Sequence, residues 1–134
     1  MKVLSTGAFK NRGMRGAVLI YVAGPYTASN SEEIEINTAR AIDAGIQVFK
    51  KGHFPYIPHL THFVDQRARA TQIHLTWSDF IAWDLPWLEL CDGLLYLGPS
   101  KGADLELSHA KRLEKKVFMS LSDLPSIDRP AAVK

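Results

Sequence analysis

Two kinds of apolar pattern alternate along this chain. Residues 17–24, AVLIYVAG, form a continuous apolar, β-branched run that ends at Gly-Pro, as a strand buried on both faces requires. In the next stretch, SNSEEIEINTARAIDAGIQVFKKG, the residues Ile34, Thr38, Ala41, Ile42, Gly45 and Phe49 recur at helical spacing. Ser29 or Asn30 can cap its start, Glu32 and Glu33 complement the helix dipole, and Lys50, Lys51 and Gly52 form a stop signal. Residues 53–60, HFPYIPHL, read as a short second strand whose Pro55 and Pro58 limit its hydrogen bonding. Residues 61–75 read as a loop with a short helix that can cover a site. TWSDFIAWDLPWLELCD sets Trp77, Ile81, Asp84 and Leu88 on one stripe. Pro86 is expected to kink or divide that helix, because proline removes a donor and crowds the preceding turn. GLLYLG (93–98) is a third strand, GPSKGADLELSHA (98–110) opens a further helix, and KVFMSL (116–121) is a fourth strand.

Strands alternating with helix-length crossovers predict an α/β fold. The expected form is a doubly wound, mainly parallel sheet of four to five strands with helices on both faces, of the Rossmann or flavodoxin-like kind. Such sheets bind ligands outside the carboxyl ends of their strands. GPYT after strand one, PHL after strand two and GPSKG after strand three are expected to meet at that edge. The 134 residues suit one domain over 17–124. A basic arm (1–16), given no function, precedes it, and a loose tail (125–134) with two prolines follows.

Composition narrows the function classes. Of 16 basic and 14 acidic residues, Lys2, Lys10, Arg12 and Arg15 all precede the first acid. Residues 17–134 are therefore slightly acidic, and a basic nucleic-acid module is not expected. The apolar run at 17–23 is too short to span a bilayer, so no membrane partner is expected. Cys91 is the only cysteine, which excludes an intramolecular disulfide and suits a reducing, cytoplasmic compartment.

The candidate chemistry lies at the predicted sheet edge. Ala103, Glu106, Ala110 and Leu113 are spaced by three, four and three, which puts Glu106 on an inward stripe. One reading makes Glu106 a first-turn carboxylate that favours the dipole and reaches solvent. The other makes it an ionised group that attacks or stabilises an electron-poor sugar carbon. Asp84, two residues before Pro86, either caps the second half of a broken helix or works as acid or base beside Glu106. Tyr21 is an ordinary core tyrosine unless its hydroxyl reaches Glu106. His59, His62, Asp65 and His74 lie close in sequence, yet no HExxH pattern or tight ligand set is present, and no metal is expected. Neither GxGxxG nor a P-loop lysine motif occurs, which disfavours dinucleotide and nucleoside triphosphate chemistry.

Taken in order, IYVAGPYT, PHL, WDLPWLELCD and GPSKGADLELSHA resemble the nucleoside 2-deoxyribosyltransferase superfamily. Within it, the chain is similar to the small nucleoside 5′-monophosphate N-glycosidases, including the 2′-deoxynucleoside 5′-phosphate N-hydrolases, over residues 18–121. The resemblance implies cleavage of an N-glycosidic bond without metal or cofactor, in a homodimer whose sites are completed across subunits. It implies that Glu106, in Gly-x-x-x-Glu counted from Gly102, is the nucleophile. Tyr21 would orient it, and Asp84 would handle protons near the leaving base. Gly24 matches the first-loop glycine and leads Pro25, Tyr26 and Thr27 along the substrate. His59 matches a base-side histidine. Ser100 occupies a position where transferases acting on free nucleosides carry an aspartate, which suits a 5′-phosphate near Ser100 and Gly102. The phosphate-binding hydrolases often place an arginine in the first loop, where this chain has Thr27. Two rivals remain: a deoxyribosyltransferase exchanging bases on free nucleosides, and a non-catalytic nucleotide-binding or sensing module.

Overall fold

The first apolar run becomes the centre of the sheet. In the computed structural model, which describes residues 16–128, β1 (Leu19–Ala23) pairs in parallel with β2 (Phe54–Tyr56) on one side and β3 (Gly93–Tyr96) on the other. A fourth strand, β4 (Lys116–Phe118), extends the sheet beyond β3, giving the order β2-β1-β3-β4 with every pair parallel. The fold is thus the expected doubly wound α/β sheet, with four strands. Each strand is shorter than the apolar run that announced it. HFPYIPHL holds only three strand residues and then turns into a 3-10 helix at Pro58–Leu60, because two prolines leave too few donors to extend the ladder. KVFMSL likewise ends as a strand at Phe118, and a 3-10 helix follows at Leu121–Asp123.

Four helices cross between the strands. α1 (Ser31–Lys50) starts where Asn30 Oδ1 accepts from Glu33 N at 2.8 Å. Its inward stripe is Thr38, Ala41, Ala44, Gly45 and Val48, while Phe49, expected on that stripe, is exposed and lies edge-on to Phe54. Gly45 packs closely against Ile57, whose side chain would have to shift to admit a Cβ there. Residues 61–75, expected as a loop with a short helix, begin with a regular ten-residue helix, α2 (Thr61–Ala70). α3 (Trp77–Leu90) carries a Thr76–Asp79 capping box at its start and is not divided at Pro86. Pro86 and Ala82, whose carbonyl loses its donor, are both exposed, so water can satisfy that carbonyl. The unbroken helix also removes any second half for Asp84 to cap. α4 (Lys101–Arg112) is capped by Ser100, whose Oγ accepts from Ala103 N at 3.0 Å.

Alternate residues of β1 feed two cores. Ile20 and Val22 join Ala41, Ala44 and Val48 of α1, with Leu95 and Leu124, on one face. Tyr21 and Ala23 join Leu88 of α3, Ala103 and Ala110 of α4, Cys91 and Leu94 on the other. The chain leaves β1 toward β2 on one side and β3 toward β4 on the other, so the crevice at a strand-order reversal lies between β1 and β3.

The tail expected to be loose from residue 125 is anchored at its start. His53 accepts from Val18 N through Nδ1 and donates through Nε2 to Pro125 O at 2.6 Å, while Ile127 N donates to Lys51 O at 2.8 Å. Most of the basic arm (1–15) and the end of the tail (129–134) lie outside the described residues. Among the described residues, no helix is long and apolar enough to cross a membrane.

Candidate active site

Two tyrosines organise the carboxyl end of the sheet. Tyr21 and Tyr56 are register partners across β1 and β2, so their side chains emerge on the same face. The rings stack with centroids 5.4 Å apart, and Trp87 of α3 stacks on Tyr56 at 5.5 Å. Each hydroxyl donates to one carboxylate: Tyr21 Oη to Glu106 Oε2, and Tyr56 Oη to Asp84 Oδ1 at 3.0 Å. Tyr56 and Trp87 were not singled out by sequence. Only a parallel register that aligns FPY with LIY brings Tyr56 beside Tyr21, and no local pattern encodes that alignment.

Glu106 is 6% exposed in the second turn of α4, which removes the reading of a carboxylate reaching solvent. Burial drives its pKa from 4.5 up to about 8, the Tyr21 hydrogen bond opposes that rise, and the charge of Asp84 adds to it. Asp84, also 6% exposed, is pushed by burial from 3.8 to about 7, against the pull of Tyr56. Both phenols are raised well above their ordinary value, burial being the largest cause, so both remain protonated donors at neutral pH. The result is a desolvated carboxyl pair in which each member has its own hydrogen-bond donor. Two such groups repel when both are ionised, so the pair exchanges its protons jointly near neutrality.

Both carboxyl groups open into a cavity of about 740 Å³. Of the sequence-singled residues, Gly24, Tyr26, Thr27, His59, Ser100 and Gly102 line it together with Asp84 and Glu106. Tyr21 stands behind Glu106, and Pro25 is not part of the wall. Gly24 lets the first loop pack closely on the β3–α4 loop, since a Cβ there would lie 3.0 Å from Leu97 Cβ. His59 Nε2 lies 3.1 Å from Gly24 O and 3.0 Å from Pro25 O. It therefore donates to the first loop, its Nδ1 is left as the acceptor, and burial lowers its pKa so that it stays neutral. This histidine fixes the loop.

The remaining wall was anticipated only in outline, in that residues 61–75 were expected to be able to cover a site. Thr61, Asp65 and Arg69 come from α2, Leu75 from the segment before α3, and Trp77, Phe80 and Ile81 from the start of α3. Lys101 Nζ lies 4.3 Å from the Trp77 ring centroid, a cation–π contact at the cavity rim. Arg69 Nε donates to Asp65 Oδ2 at 3.0 Å. The i,i+4 spacing of Asp65 and Arg69 was a usable signal, but Asp65 was weighed only among candidate metal ligands and Arg69 was not singled out. Tyr26 Oη lies 2.9 Å from His62 Nδ1. Among the described residues, no group of three or more His, Cys, Asp or Glu side chains is arranged to hold a metal ion.

Chemically, the arrangement offers an oxygen nucleophile held by a phenol and a second carboxyl group able to carry a proton. Unpaired amides at a helix start and a nearby ammonium add a site for negative charge. Residues 18–120 match a family described as a domain of unknown function (DUF7768). No curated protein matches the chain.

Proposed function

The chain belongs to this family of unknown function, and from its own site we propose that it hydrolyses the N-glycosidic bond of a nucleoside or deoxynucleoside 5′-monophosphate. The products are the free base and the sugar phosphate. The observation that carries the reading is the buried Glu106 carboxyl, held by Tyr21 and paired with Asp84 in one cavity. A fold-stabilising role does not account for two desolvated acids.

In the proposed reaction a Glu106 oxygen attacks C1′ as the bond from C1′ to the base nitrogen breaks. The electron pair of that bond leaves with the base, which takes a proton from the Asp84 carboxyl. A glycosyl ester on Glu106 results. Water then attacks C1′, Asp84 takes the water proton, and the C1′–O bond to Glu106 breaks, restoring the carboxylate. Each turn of this cycle needs one proton on the pair. Activity is therefore expected to follow a bell in pH near neutrality, because burial raises both carboxyl groups toward that range, and the reactive form is the one whose single proton sits on Asp84.

The phosphate end is assigned to the start of α4. Ser100 Oγ accepts from Ala103 N and keeps its own proton free to donate. Lys101 and Gly102 begin a twelve-residue helix and line the cavity, and a helix start favours anions. Lys101 adds positive charge. A homodimer belongs to the same reading, and exposed Trp83, Trp87 and Leu90 on α3 offer apolar surface for it. So does a cytoplasmic setting, which suits the buried free thiol of Cys91.

The test is base release over a panel of nucleosides and their 5′-monophosphates, with and without an acceptor base. Release from monophosphates, with no transfer to the acceptor, is the expected result. Preference for free nucleosides with sugar transfer would make the protein a transferase. Binding without release would make it a nucleotide-binding module.

A further inference from the structure

The reaction proposed for the carboxyl pair needs its one proton on Asp84, and Tyr56 bears on where that proton sits. The Tyr56 ring is held by two stacked neighbours, Tyr21 at 5.4 Å and 26° and Trp87 at 5.5 Å and 13°. That leaves the phenol little freedom, and its hydroxyl donates to Asp84 Oδ1 at 3.0 Å. Asp84 lines the cavity and Tyr56 does not. Tyr56 therefore acts on a ligand only through Asp84.

The second Asp84 oxygen is placed differently. Oδ2 accepts no hydrogen bond among the described residues, and it is not one of their sealed, unpartnered oxygens, so it is open to a ligand in the cavity. In the protonated acid the oxygen that accepts from Tyr56 is the carbonyl oxygen, which leaves the proton on Oδ2. When that proton departs, the new charge meets a hydrogen bond already in place, and such bonds strengthen as the acceptor becomes ionised. Tyr56 keeps its own proton, because burial raises its phenol far above the neutral range. The other titratable groups nearby are committed or silent. Glu106 of α4 faces Asp84 and takes the Tyr21 hydroxyl of β1, while the Cys91 thiol beside Tyr56 is pushed up to about 12 by burial and stays neutral.

We infer that Tyr56 is a positioning residue for the acid, whose hydroxyl turns the Asp84 proton toward the cavity on Oδ2 and stabilises the carboxylate left behind. The inference rests on the proposed function and deepens it by naming what makes Asp84 an acid in the first step. Without the hydroxyl Asp84 is a weaker acid, which slows departure of the base most where the base leaves poorly.

Tyr56→Phe keeps the stacked ring and deletes only the hydroxyl, and the first measurement on it needs no substrate. Carboxyl carbon-13 NMR of the full chain follows Asp84 in Glu106→Gln, which removes the second titrating member of the pair. The Asp84 signal is identified by its loss when Asp84→Asn is added. Adding Tyr56→Phe instead is expected to move the Asp84 titration to higher pH, since the lost donor favoured the charged form. A titration that stays in place or moves to lower pH overturns the inference, whatever the activity. Tyr56→Leu serves if the phenylalanine variant does not melt as a folded protein. In otherwise wild-type protein, Tyr56→Phe should lower kcat/KM about ten- to a hundredfold for a monophosphate whose base leaves poorly, the fold-change of one hydrogen bond to a charged group. A monophosphate whose base leaves well should lose clearly less. Equal loss on both makes Tyr56 a structural residue and also overturns the inference. If the titration moves as expected but no substrate in the panel releases its base, the hydrolase reading fails and the positioning of Asp84 by Tyr56 stands.

Discussion

The two faces of one strand have opposite chemistry. Ile20 and Val22 of β1 point into a core whose fully buried members, from α1, β3 and the residues after β4, are all aliphatic. Tyr21, between them, points into a core that also holds Asp84 and Glu106, both nearly sealed from water. The aliphatic face follows the rule that burial of apolar area stabilises. The aromatic face breaks it twice, and each break is met by one phenol hydroxyl. A hydrogen bond to a charged group stabilises by about 1.5–3 kcal/mol, which is less than the several kcal/mol needed to desolvate a carboxylate. That shortfall is why both acids have raised pKa values. One face holds the protein together, and the other holds reactive groups at a cost in stability.

The largest expected effect separates the faces by sign. Glu106→Gln keeps an acceptor for Tyr21 but removes the nucleophile, so base release should fall about 10³-fold or more, equivalent to ~4 kcal/mol. Its stability should move the other way. The Glu106 carboxyl titrates near 4.5 when unfolded and at about 8 when folded, so the fold binds the extra proton between those values. Wild-type stability then falls as pH rises through that window, and glutamine has no proton to lose. Melting should show the variant matching wild type below about pH 5 and exceeding it above about pH 8, by roughly 3–6 °C for each kcal/mol recovered. A variant less stable than wild type at high pH would break the comparison.

On the aliphatic face the expectation is simpler. Leu95, fully buried against α1, should cost about 2–5 kcal/mol as Leu95→Ala, with no added pH dependence in denaturant unfolding. A smaller effect follows from removing one phenol. Tyr21→Phe keeps the stacked ring and deletes the donor to Glu106, and it should lower kcat/KM by about 1.5–3 kcal/mol in transition-state terms. No kinetic change would return Tyr21 to the ordinary core. Smallest is Ser100→Asp, in which aspartate caps α4 as well as serine does but sets a carboxylate beside the amides assigned to the phosphate. The kcat/KM for a monophosphate should fall about tenfold relative to its nucleoside. An unchanged ratio would move the phosphate elsewhere in the cavity.

The contrast between the faces was partly legible in the sequence. The β-branched run at β1, the Asn30 cap and the spacing that turns Glu106 inward are local signals, and local signals were enough to set the element order and locate the sheet edge. Tyr56 was not legible, because its partnership with Tyr21 depends on register across a three-residue strand containing a proline. Residues 61–75 were expected as a loop with a short helix, so the full extent of the helix Thr61–Ala70 was not legible, and Arg69 was not singled out. His59, expected on the base side by resemblance, lines the cavity, and what the sequence did not show is that its Nε2 serves two carbonyls of the first loop. Such contacts join residues thirty-five positions apart and leave no periodic trace. Pro86 taught the converse lesson, since its effect on α3 depends on which way the helix faces.

The central claim is that Glu106 attacks the sugar while Asp84 manages protons. In Asp84→Asn, a monophosphate with a good leaving base needs no acid for the first step, but the second step lacks its base. The glycosyl ester should therefore accumulate. Mass spectrometry of the protein after mixing with such a substrate is expected to show one added sugar phosphate, mapped to the peptide containing Glu106. Base release without any adduct, or an adduct on another residue, would contradict the assignment of Glu106 as nucleophile.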